Sequence, residues 1–335
     1  MSYLAVREPA PLAVREEKPF HEINLYKGEE QTKARFIVVK ITHFPESVGE
    51  AAGILKENNV KTIVLEGVPK TLLDVLDGKK TVDAHMLEFS DVKNRPEGPL
   101  SPHIPAYRAM CEALLELKEK NHDLNVVISE PYYEKETVGP KGWEKYDDRM
   151  KLQQSIEDAT VKMMAALTHY KDFATGLEYA KNAARGYAIQ IPVSDVMKSD
   201  AVSKAEYSGN VGILIGEEHS FEKKLEEKQS SVKISVLFAN NKILETTFGK
   251  DFRNNEKIQP PLIQLAHKYI IKGDEIDRQT EDLLAARACA AAVMFAQESE
   301  RLMKEGKRMT AESDYQIIKA ANELSFDDCK KICIG

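Results

Sequence analysis

The 335-residue chain has one tryptophan and four cysteines, and nowhere do about 18 apolar residues run together as a bilayer-spanning helix needs. That shortage excludes a membrane span. Cys111, Cys289, Cys329 and Cys333 are too few and too irregularly spaced for a disulfide framework, and the first residues lack the apolar stretch and cleavage site of a secretory leader. Together these absences predict a soluble protein of a reducing, cytoplasmic compartment. Cys329 and Cys333 lie one helical turn apart, but no second Cys/His pair stands beside them to complete a zinc site. There is also no block of basic residues: 47 Lys and Arg against 54 Asp and Glu leave a net charge of −7. Nucleic acid is therefore excluded as a partner. Missing too are the Gly-x-Ser-x-Gly nucleophile elbow, Gly-x-Gly-x-x-Gly and the Walker A loop, which removes the commonest serine-hydrolase, dinucleotide and nucleotide readings.

What the chain does have is the composition of a globular protein, 42% apolar and 30% charged. Its first 30 residues hold a duplication, LAVREPAP at 4–11 and LAVREEKP at 12–19, whose prolines predict a flexible arm. From about residue 31 to 250, short runs rich in Val and Ile alternate with helical patterns. RFIVVK (35–40), TIVLEG (62–67), LNVVIS (124–129) and VGILIG (211–216) are nearly continuous in apolar character, as strands buried on both faces must be. The alternation predicts an α/β core with a mostly parallel central sheet flanked by helices. Ser47 to Glu50 reads as a capping box opening a helix, residues 104–120 as a second helix, and residues 146–173 as a third. YAIQI, between Gly186 and Pro192, predicts a short strand. Residues 231–239 and 241–248 predict a hairpin at the sheet edge. Residues 88–105, dense in Pro, Gly, Ser and Asp, predict a surface loop of the kind that can cover a site. Residues 251–335 predict a helical C-terminal extension. Within it the alanine-rich run 283–296 fits a buried core helix or the surface of a homodimer.

In parallel α/β sheets ligands collect at the carboxyl ends of the strands. Three such ends carry chemistry: Thr42-His43 after the first, Glu66-Gly67 after the second, and Gly216-Glu217-Glu218-His219 after the late one. Two imidazoles and a carboxylate can hold a divalent metal (Mn, Co or Zn) with positions left for water, or can act without metal as general acid and base. His103, on the proline-rich loop, is a candidate third imidazole, and Glu218 a candidate residue supporting the ligands.

Strand-then-His, strand-then-Glu about twenty residues on, a central helix with an acidic–Arg element, and a late strand followed by Gly-x-x-His: in this order the elements resemble the TraB/TIKI proteins, within the grouping that includes ChaN and the erythromycin esterases. The resemblance covers Phe36 to Lys228. Gly216 to His219 keeps the second Gly-x-x-His, whereas Lys40 stands where the first has its glycine, and the acidic–Arg element is present only as Asp147-Asp148-Arg149. The resemblance implies a metal-dependent hydrolase of a peptide, amide or ester bond. His43 and His219 would be its ligands, Glu66 a ligand or base, and Arg149 a substrate anchor. The erythromycin-esterase relatives imply a Glu–His pair instead, and the ChaN relatives imply a haem-binding protein. An assembly protein with a degenerate site is the further alternative.

Overall fold

The computed structural model describes residues 35–66, 68, 71–92, 103–129, 140–204, 207, 209–228 and 233–335. The N-terminal arm and the middle of the proline-rich loop, 93–102, lie outside them. Among the described residues five strands form the sheet: β1 (Arg35–Ile41), β2 (Val60–Leu65), β3 (Asn125–Ile128), β4 (Asn210–Gly216) and β5 (Lys233–Phe238). Their order is β3-β2-β4-β1-β5, and every pair is parallel. The first helices are α1 (Pro45–Glu57), α2 (Leu72–Leu76), α3 (Val82–Val92) and α4 (His103–Lys120). Beyond β3 come the long α5 (Pro140–Thr168) and α6 (Phe173–Lys204), and β4 leads into α7 (Phe221–Lys228).

The strands alternate with period two because both of their faces are covered. Ile37, Val39, Ile63, Leu65 and Leu214 point to one side and pack on α1, α2 and α4. Phe36, Val38, Val64, Val211, Ile213 and Ile215 point to the other and pack on Phe221 and Leu225 of α7 and Val202 of α6. Gly212 stands where a side chain would face α1. A Cβ there would lie 2.2 Å from Leu55 Cδ2, so the close approach of helix to sheet requires glycine.

The connections give the sheet a switch point. From β1 the chain crosses β4 to reach β2, with α1 on one face. From β4 it crosses β1 in the opposite direction to reach β5, with α7 on the other face. The loops leaving β1 and β4 therefore diverge, and the space above their carboxyl ends is where such sheets place their ligands.

After β5 the chain is helical: α8 (Asn241–Phe248), short 3₁₀ turns, α9 (Pro261–Lys272), α10 (Arg278–Lys304), α11 (Ala311–Glu323) and α12 (Phe326–Ile334). The alanine-rich run forms the middle of α10 and is buried within the chain, its alanines and Cys289 packed against α5, α6, α9 and α12. Small side chains let these helices approach closely, and all four cysteines are free and buried. A second group, Leu244, Phe252, Leu302, Tyr315 and Ile318, closes over Phe44 at the carboxyl end of β1.

Several local expectations change. Residues 241–248 are α8 and not a strand, so β5 remains the edge of the sheet; Ile243, Leu244, Thr247 and Phe248 carry helical spacing. YAIQI lies inside α6, where Gly186 admits Ile156 of α5; a Cβ at 186 would meet Ile156 Cγ1 at 2.4 Å. The first helix begins at Pro45, three residues before the supposed box takes effect, because proline suits the opening turn. Ser47, wholly buried, instead accepts from the Thr42 backbone N–H at 3.0 Å. The predicted loop shrinks as well, since residues 88–92 end α3 and 103–105 begin α4.

Replacing Gly212 by Ala is expected to lower the unfolding free energy by about 1–3 kcal/mol through overpacking against Leu55. Urea unfolding with an unchanged m-value checks it.

Candidate functional site

At the carboxyl edge of β2 and β4 the chain assembles a group of charges in contact. Glu66 follows β2, His219 follows β4, and Asp195 and Lys198 stand three residues apart on one face of α6. Glu66 Oε2 accepts from the Gly216 backbone N–H at 3.0 Å. Its other oxygen, Oε1, lies 2.9 Å from His219 Nε2 and also accepts from the Lys198 ammonium. On the far side of the ring, His219 Nδ1–H donates to Asp195 Oδ1 at 2.8 Å. Asp195 Oδ2 in turn accepts from the Ser220 N–H at 3.2 Å, ahead of α7. Glu218 Oε1 approaches His219 Nε2 at 3.6 Å. Lys198 Nζ is 3.1 Å from the same nitrogen.

Two buried carboxylates against one ammonium leave an imidazolium as the state that balances the charge. Burial opposes that charge, but the Glu66 carboxylate and the hydrogen bonds to Asp195 and Glu66 outweigh it, and His219 is raised to about 10. Burial likewise opposes ionisation of Glu66, yet the His219 and Lys198 charges and their hydrogen bonds hold its carboxyl well below the usual range. The resting cluster is a locked ion pair.

The cluster is open on one side only. Side chains of Lys198, Asp195 and His219 are 3%, 6% and 8% exposed, whereas Glu66 and Glu218 are 22% and 33%. A water or substrate therefore meets carboxylate first and cation behind it.

Lys40, in place of the resemblance's glycine, has a structural use. Its buried ammonium donates to the His219 carbonyl and to Glu222 Oε2 at 3.0 Å, tying β1 to the turn that carries the imidazole. Gly216 permits the compact turn: a Cβ there would lie 2.5 Å from Glu218 Oε2 and force that carboxylate away. His267 Nε2–H, from α9, donates to the Glu218 carbonyl at 3.2 Å. The C-terminal helices thus brace the same turn.

Of the residues singled out from sequence, Glu66, His219, Gly216 and Glu218 come together. His43 lies exposed on the turn between β1 and α1. Arg149 sits within α5 and His103 at the first position of α4, with side chains outside the described residues. Among the described residues no three His, Cys, Asp or Glu side chains are grouped to hold a metal ion; His43 is exposed whereas His219 is buried. The donors that do meet fit a divalent ion poorly, because the Lys198 ammonium already occupies the position between them. Both nitrogens of His219 are engaged, so this imidazole would have to leave a partner to hold haem.

Sequence reasoning missed Asp195 and Lys198. The available signal was Asp-x-x-Lys just after Pro192, but it becomes visible only once the stretch is read as helix.

Fold and site define a parallel α/β protein with a buried carboxylate–imidazole–ammonium cluster at its switch point. No family model, no curated protein and no solved structure matches the chain. Among the described residues no helix is long and apolar enough to cross a membrane.

The pH dependence has a definite sign. A group raised from 6.5 to about 10 contributes stability that is fully present below pH 6.5 and lost as pH climbs through 10. Urea midpoints of the wild type are expected to fall between pH 7 and pH 10.5, and those of His219→Gln to fall less. In Asp195→Asn, NMR titration should find the His219 pKa lowered.

Proposed function

We propose that this chain is a hydrolase of an ester or amide bond in a small molecule or peptide, working in the cytoplasm through the Glu66–His219 pair. One observation carries the reading. A carboxylate and an imidazole from different strand ends stand 2.9 Å apart, each held from behind, Glu66 by the Gly216 N–H and His219 by Asp195. Such fixing of both partners is what proton transfer at a defined place requires.

Glu66 is the more open partner and is the group positioned to meet a water. As the water oxygen bonds to the substrate carbonyl carbon, the carbonyl π pair moves to oxygen and draws the His219 and Lys198 charges off Glu66, whose carboxylate, no longer held down by them, takes the water's proton. The imidazolium and the Lys198 ammonium, both bonded to Glu66 Oε1 at rest, are the positive charges nearest to that oxyanion. The Glu–His chemistry of the erythromycin-esterase type, which the chain resembles, is closer to this arrangement than metal-activated water. In the metal-dependent form, His43, His219 and Glu66 would be the ligands, and the Lys198 ammonium would have to leave first.

A panel of chromogenic esters and amides tests the proposal. Glu66→Gln and His219→Asn are each expected to reduce turnover by about 10²–10⁴-fold with folding retained. Chelation should leave wild-type turnover unchanged. Stoichiometric Mn, Co or Zn in protein purified without chelators, lost in His43→Ala and His219→Ala, would overturn the metal-free form and favour the metal-dependent one. A Soret band on adding haemin, lost with a His219 change, would instead indicate ligand binding.

A further inference from the structure

Away from the Glu66–His219 pair, the C-terminal helices enclose a cleft of about 440 Å³ between the end of α8, the 3₁₀ turn at Glu256–Ile258 and the last turns of α11. That volume lies within the roughly 300–1,000 Å³ of small-molecule sites. Phe248 aside, the side chains that line it are polar or, at Gly249, absent. Three of them carry charge: Lys257, Lys319 and Glu323.

These charges are unspent. Lys257, Lys319 and Glu323 are exposed, and among the described residues none of them has an ion-pair partner. Lys319 and Glu323 stand one turn apart on α11, the spacing at which opposite charges ordinarily meet. Arg108 and Glu112, Arg278 and Asp282, and Arg301 and Glu305 have the same order and spacing and do pair, at 3.7, 3.6 and 2.5 Å. Backbone adds negative charge. Gly249, at φ +90°, takes the chain out of α8 at the lip of the cleft, and the carbonyls of Thr246, Thr247 and Phe248 are among those a helix end leaves without an intrahelical partner. α11 also ends here, at Glu323.

The cleft therefore offers two ammonium groups and, beside them, a carboxylate with two helix C-termini. A simple anion would meet Glu323 and the helix ends, and a simple cation would meet the lysines. A ligand with both charges on adjoining atoms satisfies both. We propose that this cleft binds a free α-amino acid, its carboxylate held by Lys257 and Lys319 and its ammonium by Glu323 and the carbonyls that end α8. The frame is already fixed. Asn322 Nδ2 on α11 donates to the Lys257 and Gln259 carbonyls at 2.9 and 3.3 Å, tying the turn that carries Lys257 to the helix that carries Lys319 and Glu323. The half-buried Phe248 ring, set edge-on to Tyr315 with centroids 6.1 Å apart, is the apolar wall available to the ligand's side chain. None of these residues belongs to the Glu66–His219 cluster, and binding here does not depend on turnover there.

Calorimetric titration of the full chain with L-alanine tests the proposal, beside two analogues that each keep one charge: N-acetyl-L-alanine, without the ammonium, and L-alaninamide, without the carboxylate. L-Alanine is expected to bind, and each analogue to bind about 10-fold or more weakly. Lys257→Ala and Lys319→Ala should each weaken L-alanine by about 10-fold. Glu323→Gln should weaken L-alanine by a similar factor and leave N-acetyl-L-alanine no weaker, a separation that damage to the fold would not produce. Inorganic phosphate or N-acetyl-L-alanine binding as tightly as L-alanine, and more tightly still in Glu323→Gln, would show a plain anion site and overturn the assignment. L-Alanine affinity unchanged in both lysine variants overturns it as well. So does the absence of saturable binding of L-alanine and L-phenylalanine up to about 10 mM. Each of these outcomes leaves the hydrolase reading to its own test.

Discussion

The site depends on the neutralisation of charge inside the protein. Glu66, Asp195, Lys198 and His219 are drawn from β2, α6 and β4, and their contacts lie between 2.8 and 3.1 Å where an imidazole nitrogen is one partner. Burying any one of them alone would be costly, and removing one partner of such a set typically costs about 3–5 kcal/mol. The consequence is that the strand ends and the helix must arrive together. The pairing of β2 with β4 in register, Leu65 opposite Leu214, brings Glu66 to the Gly216 N–H. The spacing of Asp195 and Lys198 along α6 places one beside each nitrogen of the same imidazole.

The packing around the cluster reads as support for it. Lys40 reaches from the neighbouring strand to the carbonyl of His219, His267 to that of Glu218, and Gln259 to that of Glu217. Three elements distant in sequence therefore hold consecutive residues of one turn by their backbone oxygens. Such bonds orient side chains without competing for them. They leave the carboxylates and the imidazole free to interact with one another and, on the proposed reading, with a substrate. Pro192 has its own part. It removes an N–H from the middle of α6 just before Asp195, and Lys224 of α7 reaches the proline's own carbonyl at 3.4 Å.

Much of the sheet was legible because parallel strands buried on both faces leave an unmistakable record: RFIVVK, TIVLEG, LNVVIS and VGILIG all became strands. Glu66 and His219 were legible for a related reason, since a residue that ends a buried strand must lie at the sheet's rim. The misreadings came where local pattern and tertiary environment disagree. NKILETTF has strand-like composition but helical spacing, and α11 provides the surface that its apolar stripe packs on. YAIQI looked bracketed by breakers, yet Gly186 served to admit Ile156 and Pro192 was tolerated within a 32-residue helix. Lys40 looked like a defect in a motif and is an anchor for the turn.

By itself the sequence determined the α/β class, the strands and the rim positions of His43, Glu66 and His219, because period-two burial and strand termini are properties of contiguous residues. Only the tertiary structure decided which rim residues meet. The insertion of β4 between β1 and β2 puts His219 beside Glu66 and leaves His43 on an exposed turn. Asp195 and Lys198 joined the group through contacts spanning 21 to 132 positions. Charge pairing acts through space across a few ångströms, and no pattern along the chain encodes a distance between residues that far apart.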